Sequence, residues 1–332
     1  MTRPRVVHLI DDTTAGGVMR VLDHITQSPR MAQEARHAVQ KITRGAVSLR
    51  GVRADIIVSH LSVSWSTLPA LVALRARHPR TPLVHVEHSY TARFVALRVR
   101  RPARFAALLR TAFTLFDRVI AVSDGQAAWL RTAGLAPTGR VRAIASCVDL
   151  APFRALPLPP ALPRVIGAIG RLDAQKGFDV LIQAFRQLDD PALSLHIHGQ
   201  GPEEQHLRNL AQGDARIAFK GWASTPADAI SGVDAVVMPS RWEAFGLVAI
   251  EALAAGRPLM TSGIDGLSDH VKGGALNIAA DTPREWAAAL AKLTEGAAPY
   301  PDLSPYRLRE MLELAFAQGW NDLVEELCPQ TR

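Results

Sequence analysis

Two series of short apolar runs, each alternating with helical stretches, flank a proline cluster at Pro152, Pro157, Pro159, Pro160 and Pro163. Proline fixes φ and removes a backbone donor, so neither helix nor strand continues through such a segment. Before the cluster, strands are expected at Val6–Ile10, Asp55–Ser59, Leu83–Val86, Arg118–Val122 and Val141–Ala145, with helices from about Val18, Ser66 and Gly125. After it, strands are expected at Val165–Ile169, Leu193–His198, Ile217–Lys220 and Val233–Met238, with helices from about Asp179 and Pro202. A last long helix is expected over Pro305–Leu327. Strands that alternate with helices predict βαβ units in parallel, doubly wound sheets. A chain of 332 residues suits two such domains, each able to bury its own core. The expected division is 1–155, then 156–304, with 305–332 as a C-terminal helix.

Several function classes fall away on bulk properties. No apolar stretch approaches the ~20 residues that span a bilayer. The first ten residues, MTRPRVVHLI, read straight into a strand, so no signal peptide is expected. Cys147 and Cys328 stand in no metal or redox spacing, so a reduced, cytoplasmic setting is expected. There is no G-x-G-x-x-G fingerprint, which disfavours a nicotinamide enzyme.

Charge is divided unevenly. Residues 1–150 hold 22 Lys+Arg against 9 Asp+Glu, a net +13, and the remainder holds 16 against 22, a net −6. No acidic residue lies between Glu87 and Asp117, where Arg93, Arg98, Arg100, Arg101, Arg104 and Arg110 alternate with Phe94, Leu97, Phe105 and Leu108. One reading is a basic amphipathic surface for anionic lipid headgroups or an anionic acceptor. The other is a solvated helix in an arginine-favouring composition. No nucleic-acid-binding module accompanies the charge, so nucleic acid is not an expected partner.

The segment Ser240–Leu259, SRWEAFGLVAIEALAAGRPL, carries two glutamates, Glu243 and Glu251, eight residues apart. It follows a buried strand, and Gly256 with Pro258 marks the end of its helix. Helix N-termini attract phosphate, and carboxylates accept hydrogen bonds from sugar hydroxyls. Upstream lie Gly170-Arg171-Leu172, Lys176-Gly177-Phe178 and His198-Gly199-Gln200-Gly201-Pro202, each after an apolar run. Together these residues closely resemble the C-terminal domain of family 4 glycosyltransferases. Every named position of the pattern G-R-L-x-x-x-K-G, G-x-G-P and P-S-x-x-E-x-F-G-L-x-x-x-E-A-x-x-x-G-x-P is matched. The detailed resemblance covers Val165 to Gly266.

The resemblance implies the GT-B fold: two doubly wound, Rossmann-like α/β domains facing across a cleft, acceptor side first and donor side second. It also implies a C-terminal helix that packs back on the first domain. Arg171 and Lys176 would contact the donor diphosphate, and Gly170 and Gly177 would let backbone approach it. Glu243 would meet hydroxyls of the transferred sugar and Glu251 those of the ribose. Phe245, Gly246 and Leu247 would place backbone amides near phosphate or sugar. Gly199 and Gly201 would form the nucleotide-side turn, with Lys220 near the base. In the first domain, Gly16 and Gly17 would lie beside the donor phosphate, and His88 would face the sugar. His85 and Glu87 are rivals for that place, and Ser123 matches a recurring serine without a defined role.

Two departures stand out. Ser146-Cys147-Val148-Asp149 replaces the usual P-N-G-V-D, and Asp269 stands where a glutamate is usual.

The function implied is a retaining, metal-independent glycosyltransferase that moves a hexose-type sugar from a nucleoside-diphosphate sugar to an acceptor hydroxyl. UDP is favoured over GDP as the nucleotide. The expected setting is glycolipid, lipopolysaccharide or exopolysaccharide assembly, in the cytoplasm and peripherally on the membrane. The expected partners are the nucleotide-sugar, an acceptor glycan or glycolipid, and an anionic membrane surface; no cofactor is expected. The alternatives are a nucleotide-sugar epimerase or phosphorylase on the same architecture, or a non-catalytic nucleotide-sugar-binding subunit.

Overall fold

A computed structural model describes residues 3–14, 16–44, 52–279, 282–296 and 311–329. The chain divides into two compact units, Met1–Asp149 with Met311–Arg332, and Leu150–Glu310. The division falls at Asp149/Leu150, just before the proline cluster begins at Pro152.

In the first unit β1 (Arg5–Ile10), α1 (Gly17–Gln27), β2 (Arg36–Lys41), β3 (Ile56–Ser59), α2 (Leu68–Arg77) and β4 (Leu83–Glu87) come in order. They are followed by α3 (Ala92–Arg98), α4 (Pro102–Phe113), β5 (Arg118–Ala121), α5 (Asp124–Thr132) and β6 (Val141–Ala143). The strands form one parallel sheet in the order β2-β1-β3-β4-β5-β6. A parallel sheet is covered on both faces, and β3 and β4 are accordingly buried along their whole length. Leu9, Ile57, Leu83 and Val119 pack with Leu71 and Leu74 of α2 and Leu108, Leu109 and Phe113 of α4. Ser123 caps α5, its side chain accepting from the Gln126 amide at 3.0 Å. A serine oxygen in that place satisfies one of the helix's orphan donors.

The second unit runs α6 (Ala151–Arg154), β7 (Val165–Ile169), a 3-10 turn at Ala174–Lys176, α7 (Phe178–Phe185), β8 (Ser194–His198) and α8 (Glu204–Ala211). It continues with β9 (Ile217–Gly221), α9 (Pro226–Ser231), β10 (Ala235–Met238), α10 (Leu247–Ala254), β11 (Leu259–Thr261), α11 (Leu267–Lys272), β12 (Leu276–Asn277) and α12 (Pro283–Thr294). This sheet is also parallel, in the order β12-β11-β10-β7-β8-β9. Trp286 of α12, 1% exposed, joins Phe178, Leu181 and Phe185 of α7 in the main core cluster. Finally α13 (Met311–Leu327) returns to the first unit. Its Phe316, Trp320, Leu323 and Val324 are buried, Arg118 bonds Glu326, and Arg142 meets Asp322 at 3.0 Å.

Three strands differ from expectation. β2 reads RHAVQK, with charged ends and no apolar alternation, while β11 and β12 are three and two residues long. The short helix α6 also stands at the start of the proline cluster, where no element was expected. The expected helical start at Pro305 lies outside the described residues. Among the described residues, no helix is long and apolar enough to cross a membrane.

Candidate functional site

In a doubly wound sheet, ligands bind beyond the carboxyl ends of the strands where the strand order reverses. In the second unit the order reverses between β7 and β10, which pair side by side. The loops after these two strands, 170–177 and 239–246, hold the matched motifs. They are laced together. The Arg241 amide donates to the Gln175 carbonyl at 2.7 Å, and Gln175 Nε2 donates to the Trp242 carbonyl at 3.0 Å. Arg241 also grips Asp179 with two bonds, at 2.8 and 2.6 Å. Burial works against the Asp179 carboxylate, yet these bonds from Arg241 hold it below the usual range.

At the centre, Lys176 Nζ donates to Glu243 Oε2 at 2.5 Å, across 67 residues of sequence. Both side chains are largely enclosed, at 18% and 12% exposure. Arg171 lies on the outer side of the loop, 69% exposed, its Nε donating to Asp173 at 2.5 Å. The structure thus brings Lys176 and Glu243 into contact and leaves Arg171 extended in solvent.

The glycines here serve close approach. A Cβ on Gly199 would stand 1.9 Å from the Gly170 carbonyl oxygen, and one on Gly201 would stand 2.2 Å from that of Leu172. The turn after β8 therefore seats against the Gly170–Leu172 loop, with the Leu172 amide donating to the Gln200 carbonyl at 3.0 Å.

Gly246 (φ 88°) caps α10 without a side-chain bond, Leu247 is its first residue, and no acidic residue lies in its first turn. Its leading amides therefore suit an anion. Phe245 is buried edge-on against His270, with ring centroids 4.7 Å apart. His270 Nε2 lies 2.7 Å from the Phe245 carbonyl. Burial lowers the basicity of His270, so a neutral ring donating from Nε2 fits this contact. Neither His270 nor Arg241 stood out in the sequence, because both act by holding loop backbone. Glu251 is fully buried on α10; a charged group in that position needs compensation. Lys220 is exposed on the edge strand β9, where its charge bears on His196 and His198.

In the first unit the order reverses between β1 and β3. Gly16 and Gly17 open α1 after β1, and α1 has neither an acidic first turn nor a side-chain cap. His88 follows β4, and its Nε2 lies 2.8 Å from Nδ1 of His60, which follows β3. His85 and Glu87 form a separate buried pair at 3.6 Å. Glu87 Oε1 accepts from the amides of Ser89 and Tyr90 at 2.8 and 3.0 Å. Desolvation opposes ionisation of Glu87, but His85 and these amides outweigh it and hold the carboxyl below its usual range. That ties Glu87 to its own turn.

Of the arginines, Arg98, Arg100, Arg101 and Arg104 are exposed and Arg93 is half-buried on α3. Arg104 stacks over Trp65 at 5.4 Å. Leu97 and Trp65 beside this basic run are 50% and 47% exposed.

The model described as Glycosyltransferase Family 4 matches residues 5–152, and that described as Glycosyl transferases group 1 matches 163–296. A D-inositol 3-phosphate glycosyltransferase of Corynebacterium jeikeium is 34% identical over 51% of this chain and 45% of its own. The same-named protein of Thermobispora bispora is 28% identical over 73% of this chain and 63% of its own. The aligned region spans about half to two thirds of these curated relatives. Among solved structures, Anabaena Alr3699/HepE in complex with UDP and glucose superposes with TM-score 0.72 at 19% identity, over 98% of this chain and 99% of that one. A glycosyltransferase from Rickettsia africae superposes with TM-score 0.73 at 14% identity, each chain covered in full. With the two units matched by family models over 5–152 and 163–296, one parallel six-stranded sheet in each, and solved structures that superpose over nearly the whole chain, the chain belongs to the glycosyltransferase family 4 type and has the two-domain α/β GT-B fold.

Proposed function

We propose that this protein transfers a hexose-type sugar from a nucleoside-diphosphate sugar to an acceptor hydroxyl, with retention and without a metal. The observation that carries the reading is the Lys176–Glu243 pair at the switch point of the second sheet. The Lys176 ammonium has three N–H groups. One is engaged by Glu243, and two are left for diphosphate oxygens. Lys176 is thereby aimed by Glu243, and Arg171 is long and solvent-exposed enough to close over the phosphates from outside. Fixed cations and the α10 amides would stabilise the charge that develops on the leaving phosphate, the place a metal takes in other transferases. Glu243 has a second oxygen for a sugar hydroxyl, and Glu251 would take the ribose hydroxyls.

In the step proposed, the bond from the anomeric carbon to the diphosphate oxygen breaks and a bond to the acceptor oxygen forms on the same face. The acceptor proton passes to the departing phosphate. Acceptor binding falls to the first unit, where His88 and the α1 N-terminus stand at the carboxyl edge of the sheet.

UDP is the preferred nucleotide; the complexes of Anabaena HepE with UDP and glucose and with UDP-glucose support that choice. The basic run Arg93–Arg104 with exposed Leu97 and Trp65 supports peripheral binding to an anionic membrane, and so an acceptor in glycolipid or polysaccharide assembly. The test is turnover of UDP-, GDP- and ADP-sugars in EDTA, with product anomers read by NMR. Turnover of one donor with retention supports the reading; inversion or strict metal dependence contradicts it.

A further inference from the structure

A row of histidines crosses four neighbouring strands of the first sheet: His37 in β2, His8 in β1, His60 just after β3 and His88 just after β4, while His85 within β4 pairs with Glu87 instead. Val6 pairs with His37, Leu9 pairs with Ser59, and Ser59 pairs with His85. Each step from β2 towards β4 therefore climbs two positions along the strands. Two is the side-chain repeat of a strand, so all four rings emerge on one face.

The rings meet end to end. His37 Nδ1 lies 3.0 Å from His8 Nε2, His8 Nδ1 lies 2.9 Å from His60 Nε2, and His60 Nδ1 lies 2.8 Å from His88 Nε2. His8 and His60 are buried, at 0% and 8% exposure. Burial lowers the basicity of all four, to about 4 for His37 and His88 and well below the usual value for His8 and His60. All four rings are therefore neutral at neutral pH.

A neutral imidazole carries one N–H and one bare nitrogen. Four rings bring four N–H groups to three contacts. When each contact holds one, the fourth must sit at an end of the chain. Two arrangements satisfy this. In one, every ring is protonated on Nδ1 and His37 Nε2 is bare. In the other, every ring is protonated on Nε2 and His88 Nδ1 is bare.

The far end decides between them. His37 Nε2 is buried with no hydrogen-bond partner among the described residues, and the His37 ring lies edge-on to Trp320, centroids 6.4 Å apart. An orphaned buried N–H is rarer in folded proteins than an under-used acceptor. A bare Nε2 at His37 is thus favoured, and it places the fourth N–H on His88 Nδ1.

We propose that His37, His8 and His60 are positioning residues that fix His88 as the Nδ1–H tautomer, so that His88 presents a hydrogen-bond donor, not a base, to a ligand oxygen at this edge of the sheet. The identity of that ligand rests on the transferase reading above; the tautomer does not.

The test is 15N NMR of the imidazole nitrogens in the full chain at neutral pH, without ligand. The expected result is four neutral rings, all protonated on Nδ1, with nitrogen–nitrogen couplings through the three contacts. Protonation of any of the four on Nε2 would overturn the proposal. The variants His60→Asn and His60→Asp then reverse the polarity at one contact. The asparagine amide can take the place of Nδ1 and donate to His88 Nε2, so His88 keeps its Nδ1–H tautomer. The aspartate carboxylate can only accept, so a proton appears on His88 Nε2. The same His88 protonation pattern in both variants would also overturn the proposal. If His60→Asp does not fold, the wild-type spectrum and His60→Asn decide. Loss of sugar transfer in wild type and variants alike would count against the transferase reading and leave the spectra to judge the histidine chain.

Discussion

Removing Lys176 has two separable consequences. Lys176 and Glu243 are 18% and 12% exposed, so Lys176→Ala leaves a mostly enclosed carboxylate without its cation. Breaking a fully buried pair from one side costs about 3–5 kcal/mol. Residual solvent at Glu243 screens part of that, which brings the expected cost to about 2 kcal/mol. For a unit the size of Leu150–Glu310, each kcal/mol moves Tm by roughly 2–4 °C, so the variant should melt about 4–8 °C lower. Glu243→Gln alone should cost a similar amount. The double variant should cost no more than either single one, which corresponds to a coupling energy of about 2–3 kcal/mol. Turnover should not recover, because the cation on the leaving phosphate is gone; losing one such group costs about 10²–10³ in kcat. The assay is calorimetric unfolding of the four proteins beside donor turnover. Additive melting shifts would refute the coupling, and near-normal turnover in Lys176→Ala would refute the diphosphate role.

Other consequences follow from particular contacts. Gly199→Ala puts a Cβ 1.9 Å from the Gly170 carbonyl oxygen at φ 138°, so it should destabilise the second unit by at least about 2 kcal/mol in denaturant melts; a neutral effect would mean the two loops do not meet. The histidine chain makes stability pH-dependent. The folded-state values, about 4 for His37 and His88, lie below the unfolded value of about 6.5. The unfolded chain therefore binds more protons, and stability falls as pH drops from about 6.5 towards 4. Urea melts should show a loss of at least about 2 kcal/mol between pH 7 and pH 5; equal stability at both would contradict burial of these rings as neutral species. Replacing Arg98, Arg100, Arg101 and Arg104 with Gln should remove binding to phosphatidylserine vesicles, each arginine contributing about 1 kcal/mol near the surface; unchanged flotation would remove the membrane role.

Much of the second unit was legible because its chemistry is local. Gly170-Arg171-Leu172, Lys176-Gly177 and Glu243 through Glu251 are short runs that follow apolar strands, and such runs put loops at the carboxyl ends of a parallel sheet. What the sequence did not reveal depends on register. Lys176 and Glu243 are 67 residues apart, and only the pairing of β7 with β10 turns two matched positions into one ion pair. The histidine chain is less visible still. His8, His37, His60 and His88 share no local pattern, and their common face exists only because four strands are staggered by two positions. β2 carries no such mark, because an edge strand has less need of apolar residues and RHAVQK supplies few. The end of α10 is marked in the sequence itself, since Gly256, at φ 69°, follows its last turn. Arg241 and His270 hold backbone and take no direct part in the matched motifs, so nothing in a one-dimensional pattern marks them.

The most direct measurement is thermal stability of wild type and Lys176→Ala with UDP, GDP and ADP, EDTA present throughout. A nucleotide at about 100 times its Kd adds about 2.7 kcal/mol, or roughly 5–10 °C for a unit of this size. The account predicts that UDP stabilises wild type by that margin in EDTA and that the shift shrinks sharply in Lys176→Ala. An unchanged melting temperature with every nucleotide, or an equal shift in the variant, would contradict a donor site built on Lys176 and Glu243.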